Sequence, residues 1–157
     1  MALRTILTEG DELLRKTSRP VTDFGSRTAA LLDDMAETLD DAGGVGLAAP
    51  QVGILRRMVL VYRGEELLEL INPEIIATEG EQTGAEGCLS VPGKRGTVTR
   101  PMKLTVRAQN RLGETVQYEC EELAARCVCH ELDHLDGILY LDKATDVFYE
   151  DDEDEEE

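Results

Sequence analysis

Residues 121–136 read EELAARCVCHELDHLD, and the architecture turns on how this stretch is read. Leu123, Ala124, Cys127, Val128, Leu132 and Leu135 fall on one side at helical spacing, and Gly137 stands where a helix would end. The spacing predicts an α-helix from about 121 to 136. Both histidines of the chain, His130 and His134, lie in it, four residues apart and therefore on one face. Two imidazoles so placed can share one metal ion, and Glu131 between them can reach a water bound to it.

A catalytic site of this kind needs a third protein ligand and an open position. Cys127 precedes His130 by three residues. At ~1.5 Å of rise per residue, however, it lies ~10.5 Å along the axis from His134, beyond the grip of one ion with bonds of ~2.0–2.3 Å. Cys129 points around the helix from His130. Downstream, residues 130–140 (HELDHLDGILY) begin the metzincin pattern, but Tyr140 stands where its third histidine belongs. The third ligand is therefore expected upstream, where the strand region offers Cys88 and Cys120.

Working outward, residues 26 or 27 to about 41 predict an amphipathic helix. Ala30, Leu31, Met35 and Leu39 form its apolar stripe, and the helix stops at Gly43-Gly44. Residues 57–63 (RMVLVYR) and 67–72 (LLELIN) read as strands bounded by Gly64 and Pro73. Residues 103–109 and 114–120 flank Asn110-Arg-Leu-Gly113 as a hairpin. Thr83-Gly84 and Pro92-Gly93 read as turns. Helix, mostly antiparallel strands and a second helix make an α+β domain, with the strands packed around the helix that carries both histidines.

At 157 residues the chain suits one domain, assigned to residues 1–148. With no Trp and two Phe, its core must be built from Leu, Val, Ile and Ala. No apolar run approaches the ~18 residues that span a bilayer, and residues 1–11 lack a secretory pattern. A soluble cytoplasmic protein with no membrane partner is expected. The formal net charge is -17, and residues 149–157 (YEDDEDEEE) read as an acidic, solvated and disordered tail. Bulk attraction to nucleic acid is disfavoured, and no DNA partner is expected. Four cysteines without an export signal point to thiol or metal chemistry rather than a disulfide framework.

Two further segments matter. GVGLAAPQ (44–51) contains G-x-G-x-x-A, but an acidic helix precedes it and Pro50 and Gly53 break any helix after it, so a dinucleotide-binding turn is excluded. Its glycines instead allow another backbone to approach, as a peptide pairing main chain to main chain would. EGCLS (86–90) sets Cys88 between the two expected turns, where a thiolate could ligate a metal.

Taken together, GVGLAAPQ, EGCLS and HELDH (130–134) resemble the three signature segments of peptide deformylases, in the same order, and the likeness runs from about Leu3 to Asp142. The resemblance implies an α+β fold around the HExxH helix and removal of the formyl group from the N-terminal formyl-methionine of nascent chains. It implies that Cys88, His130 and His134 hold one divalent ion, Fe2+ in the cell, with Zn2+, Ni2+ or Co2+ able to replace it. Glu131 would move the proton, while the Gln51 amide and the Leu89 N–H would stabilise the oxyanion. Gly44, Val45 and Gly46 would form the edge that pairs with substrate, and Arg95 would help orient it. Val45, Leu123, Arg126 and Cys127 would line the methionine pocket. Many members have an apolar residue in place of Arg126; here its stem is expected to pack on substrate with its head in water. Some relatives dock on the ribosome through a basic carboxy-terminal helix, whereas this acidic end would be repelled by RNA, leaving a transient encounter by another route. A generic HExxH zinc peptidase and a non-catalytic peptide-binding domain of the same fold are the alternatives.

Overall fold

The computed structural model describes residues 2–149. Its elements, in order, are α1 (Ser26–Ala42), β1 (Gly46–Ala48), β2 (Met58–Arg63), β3 (Glu66–Glu79), β4 (Gln82–Cys88), β5 (Val91–Arg100), β6 (Lys103–Gln109), β7 (Thr115–Glu121), α2 (Leu123–Leu135) and β8 (Val147–Tyr149). Every strand pairing is antiparallel. One sheet runs β1-β2-β3-β6-β7 and the other β4-β5-β8. This is the α+β architecture expected, with the HExxH helix packed on the strands.

Alternation along the strands divides the core. Val59 and Val61 of β2, with Leu68 and Leu70 of β3, meet Ala124, Ala125, Val128 and Leu135 of α2. Met58, Leu60 and Ile71 join Leu32, Met35 and Leu39 of α1. Successive strand residues point to opposite faces, so the larger sheet lies between the two helices, and β2 needs apolar residues at consecutive positions. α1 ends where expected: Gly43 adopts φ 71°, and the Gly44 amide reaches back to the Leu39 carbonyl.

Two expectations need correction. Pro73 does not end the second strand, because β3 runs on to Glu79. A register irregularity between Ile71 and Glu74 takes up the proline, which has no ladder donor to lose. Asn72 beside it adopts φ 52°, and its side chain accepts from Val21 N and donates to Val21 O and Gln109 Oε1. Thr83-Gly84 and Pro92-Gly93 are likewise not turns. They lie within β4 and β5, with Gly84 opposite Val98, and the chain reverses at Leu89-Ser90 instead. Glycine weakens a strand without preventing it, and cross-strand pairing overrides the local turn preference. Tyr149 is the last residue of β8, paired with Lys94, while the acidic run 150–157 lies outside the described residues.

Asn72→Ala should cost about 2–3 kcal/mol, since three hydrogen bonds are lost and alanine must hold a left-handed backbone. Urea unfolding should show a lower midpoint with an unchanged slope. Asn72→Gly, freed of the backbone penalty, should fall between the two.

Candidate active site

Cys88 is the last residue of β4, and His130 and His134 project from α2. Their ligand atoms lie within 4.8 Å of one another. The Cys88 sulfur is 3.3 Å from Nε2 of His134. Of the two upstream cysteines, Cys88 is thus the one brought to the histidines. Cys120 is buried in the cluster between the larger sheet and α2.

His130 is oriented from behind. It presents Nδ1 to Glu86 Oε1 at 2.9 Å, which leaves Nε2 for the site. Glu86 is itself buried and surrounded by cations. Arg100 reaches both of its oxygens, from Nε at 2.9 Å and Nη2 at 3.1 Å, and Arg126 Nη1 reaches Oε2 at 2.6 Å. Burial pushes the Glu86 carboxyl up, but the hydrogen bonds from His130 and Arg100 outweigh it and bring it down to about 2. Arg100 also bonds Asp133, one turn along from Cys129 on α2. His134 is driven by burial, and then by the charge of His130, down to about 3, so its ring is neutral and able to ligate.

Glu131 is almost fully buried, and its Oε1 has no hydrogen-bond partner. Burial raises its carboxyl to about 7, with the His130 charge pulling the other way. Gln51 has a fixed orientation: its Oε1 accepts from Ala48 N at 2.9 Å, and its Nε2 points at Ser90 Oγ (3.0 Å) and Cys88 Sγ (3.6 Å). The donor end of the amide therefore faces the cysteine. Cys127 is buried as a thiol, its pKa raised well above normal by burial, with its sulfur on the Val45 carbonyl.

Gly46 explains the spacing between β1 and α2. A Cβ there would meet Glu131 Oε2 at 2.6 Å and collide with the Cys127 sulfur. One cavity of about 490 Å³ is lined by Gly44, Val45, Gly46, Gln51, Cys88, Leu89, Arg95, Leu123, Arg126, Cys127, His130 and Glu131. Every site residue expected from sequence except His134 faces it, and His134 sits buried behind. Val45 and Leu123 are exposed at its mouth. A larger groove, about 840 Å³, lies across β3, β6 and β7 but holds neither histidine, so its size does not make it the site.

Arg126 departs from expectation. Its head is not in water but buried, donating to Glu86 and to the Val98 carbonyl at 3.0 Å. Glu86, Ser90, Arg100 and Asp133 received no role from sequence. Glu86, Ser90 and Asp133 fall inside the quoted motifs, but nothing in their spacing reveals a buried carboxylate that depends on an arginine 14 residues downstream.

The donor set of one thiolate and two imidazoles suits a divalent ion, and the pre-oriented His130 and neutral His134 fit one. A buried carboxylate beside such ligands defines a metal-dependent hydrolase of the HExxH type. Residues 3–148 match the family model described as polypeptide deformylase. A peptide deformylase of Agathobacter rectalis is 56% identical over 155 residues, covering 96% of this chain and 98% of the relative. One from Lachnoclostridium phytofermentans is 52% identical, with both chains covered in full. A crystal structure of the peptide deformylase from Thermotoga maritima superposes with a TM-score of 0.89 at 39% identity, covering 92% of this chain and 99% of that one. The chain belongs to the peptide deformylase family.

Glu86→Gln keeps the shape but removes the charge that orients His130. Metal affinity should weaken by about 10- to 100-fold, measured by chelator competition under anaerobic conditions. Gly46→Ala should leave metal content intact while lowering turnover by at least about 100-fold, because Glu131 must move.

Proposed function

We propose that this protein removes the formyl group from the N-terminal formyl-methionine of newly made polypeptides, with Cys88, His130 and His134 as ligands of its metal. The observation that carries this reading is the meeting of those three residues beside a cavity that Glu131 and the Gln51 donor line. A divalent ion bound there would supply Lewis acidity, activating a water and polarising the formyl carbonyl. Glu131, whose Oε1 is unpartnered, takes the proton of the attacking water and passes it to the departing amine. Gln51 Nε2 and the Leu89 N–H donate to the oxygen on which negative charge develops. The C–N bond then breaks, and formate leaves the free α-amino group.

β1 and β4 are edge strands of their sheets, and both border the cavity. A peptide lying between them would pair with the backbone at Gly44, Val45 and Gly46, with Arg95 orienting it. The methionine side chain would rest among Val45, Leu123, Arg126 and Cys127. Here the pocket has a buried guanidinium where an apolar wall would otherwise stand. Fe2+ is our choice for the cell, with Zn2+, Ni2+ and Co2+ compatible with the same donors. Residues 1–148 would act as one catalytic domain followed by an acidic tail. No helix of the described residues is long and apolar enough to cross a membrane, and the work of such an enzyme lies in the cytoplasm, in transient encounters with ribosomes.

Anaerobically purified protein should release formate from formyl-Met-Ala-Ser. Glu131→Ala should lower the rate by about 10²–10⁴-fold while keeping its metal. Cys88→Ala should lose stoichiometric metal, and Cys127→Ala should retain it. Cleavage of internal peptide bonds with the formyl group left intact would overturn the reading in favour of a general peptidase.

A further inference from the structure

Away from the active-site cavity, a groove of about 730 Å³ runs between the amino-terminal segment, the start of α1 and the loop leading into β2. Its lining inverts the charge of the molecule. The chain has 16 Lys and Arg against 33 Asp and Glu, yet four arginines, Arg4, Arg19, Arg27 and Arg56, line this groove with a single acid, Asp23. An Asp23 oxygen is already engaged by the Gly25 amide. Arg4 is paired with Asp34 at 3.0 Å. Arg19, Arg27 and Arg56 are exposed, and among the described residues none of them forms an ion pair; Arg56 donates only to the neighbouring Leu55 carbonyl.

The fold gives these charges no reason to be there. Arg19 and Arg56 face each other across an isolated β-bridge, held by Arg19 N to Leu55 O and Arg57 N to Arg19 O. The bridge sets two like charges on neighbouring backbone, where they repel each other. Arg27 occupies the first turn of α1, which contains no acidic residue, and the positive end of the helix dipole disfavours a cation there. Two separate electrostatic costs are thus concentrated in one groove of an otherwise acidic molecule. An anion seated between these arginines would relieve both.

We propose that the groove binds the phosphate backbone of RNA without regard to base sequence. All four cations are arginines, whose planar forks match phosphate oxygens in pairs. The three free of ion pairs are also spread over separate segments, Arg19 ahead of α1, Arg27 in its first turn and Arg56 in the loop into β2, which suits a polymer of repeated charges better than one small anion. No aromatic side chain lines the groove, so bases gain no stacking and recognition stays with the backbone. RNA is favoured over an acidic peptide because the proposed substrate is a chain made on the ribosome. That preference alone rests on the proposed activity; the charge arrangement does not. The overall acidity of the protein limits the interaction to a weak, salt-sensitive contact.

The full-length metal-loaded protein should bind a fluorescently labelled 20-nucleotide RNA hairpin at 50 mM salt. With about three phosphates neutralised, affinity should fall roughly 20- to 40-fold between 50 and 200 mM salt. The triple variant Arg19→Gln, Arg27→Gln, Arg56→Gln should bind at least about tenfold more weakly at 50 mM salt. Its melting temperature should rise slightly, as the two electrostatic costs are removed, and its rate on formyl-Met-Ala-Ser should be unchanged, since none of the three borders the active-site cavity. The proposal fails if the wild type does not bind the hairpin or if the triple variant binds it equally well. It also fails if a 12-residue oligoglutamate displaces the RNA at equal concentration, which would assign the groove to an acidic protein segment. Formate release is measured separately, so loss of either result leaves the other interpretable.

Discussion

The buried carboxylate of Glu86 is the constraint on which the rest of the site depends. A lone charge at this depth would be expelled or neutralised. It persists because Arg100 grips both oxygens, Arg126 adds a third hydrogen bond and His130 a fourth. These contacts tie the paired strands β4 and β5 to α2, which packs on the other sheet. Arg100 closes the loop by binding Asp133 on α2. Removing any one partner would leave an uncompensated charge inside the protein, a loss usually larger than the net worth of the intact cluster. The cluster therefore works less as a source of stability than as a device that admits only one arrangement of the metal helix.

That fixed helix makes the close approach of β1 meaningful. Gly46 brings its backbone within van der Waals contact of Glu131 and Cys127, where no Cβ fits. The same approach lets the Ala48 amide hold Gln51 so that its donor end faces Cys88. Two sheet edges, a carboxylate and an amide are thus set around the ligands by backbone proximity. The polar atom left over at the cavity, Glu131 Oε1, is buried and unpartnered among the described residues. Such an orphan is costly in a merely structural core and ordinary in a site that awaits a ligand.

The parts of this design legible in sequence are those written in local periodicity. The helix with His130 and His134 declares itself through 3.6-residue spacing. The β6–β7 hairpin does so through alternation around Asn110 and Gly113, and α1 through its stripe and glycine stop. Cys88 emerges because helix geometry excludes Cys127 and the family segments supply an alternative. What stays hidden depends on contacts across the fold. β3 passes through Pro73 only because Asn72 finds partners on Val21 and Gln109, which are distant in sequence. β4 and β5 look like turns residue by residue and become strands through each other. Arg126 looks like a snorkelling side chain until the carbonyls of β4 and β5 and the carboxylate of Glu86 enclose its head.

Arginine consequently has two opposed uses in a chain whose formal charge is -17. Arg100 and Arg126 are withdrawn from solvent, and their charge is consumed in fixing Glu86 and, through it, His130. Arg19, Arg27 and Arg56 are left in solvent beside one another, with acids plentiful elsewhere on the surface yet scarce in their groove. Chance would scatter such rare cations among the acids, where the other exposed arginines of the described residues, Arg15 and Arg107, do find partners. Paired arginines explain the fold and the metal centre. Unpaired ones are explained by neither, and their natural complement is negative charge beyond the single acid, Asp23, that the described residues set in their groove.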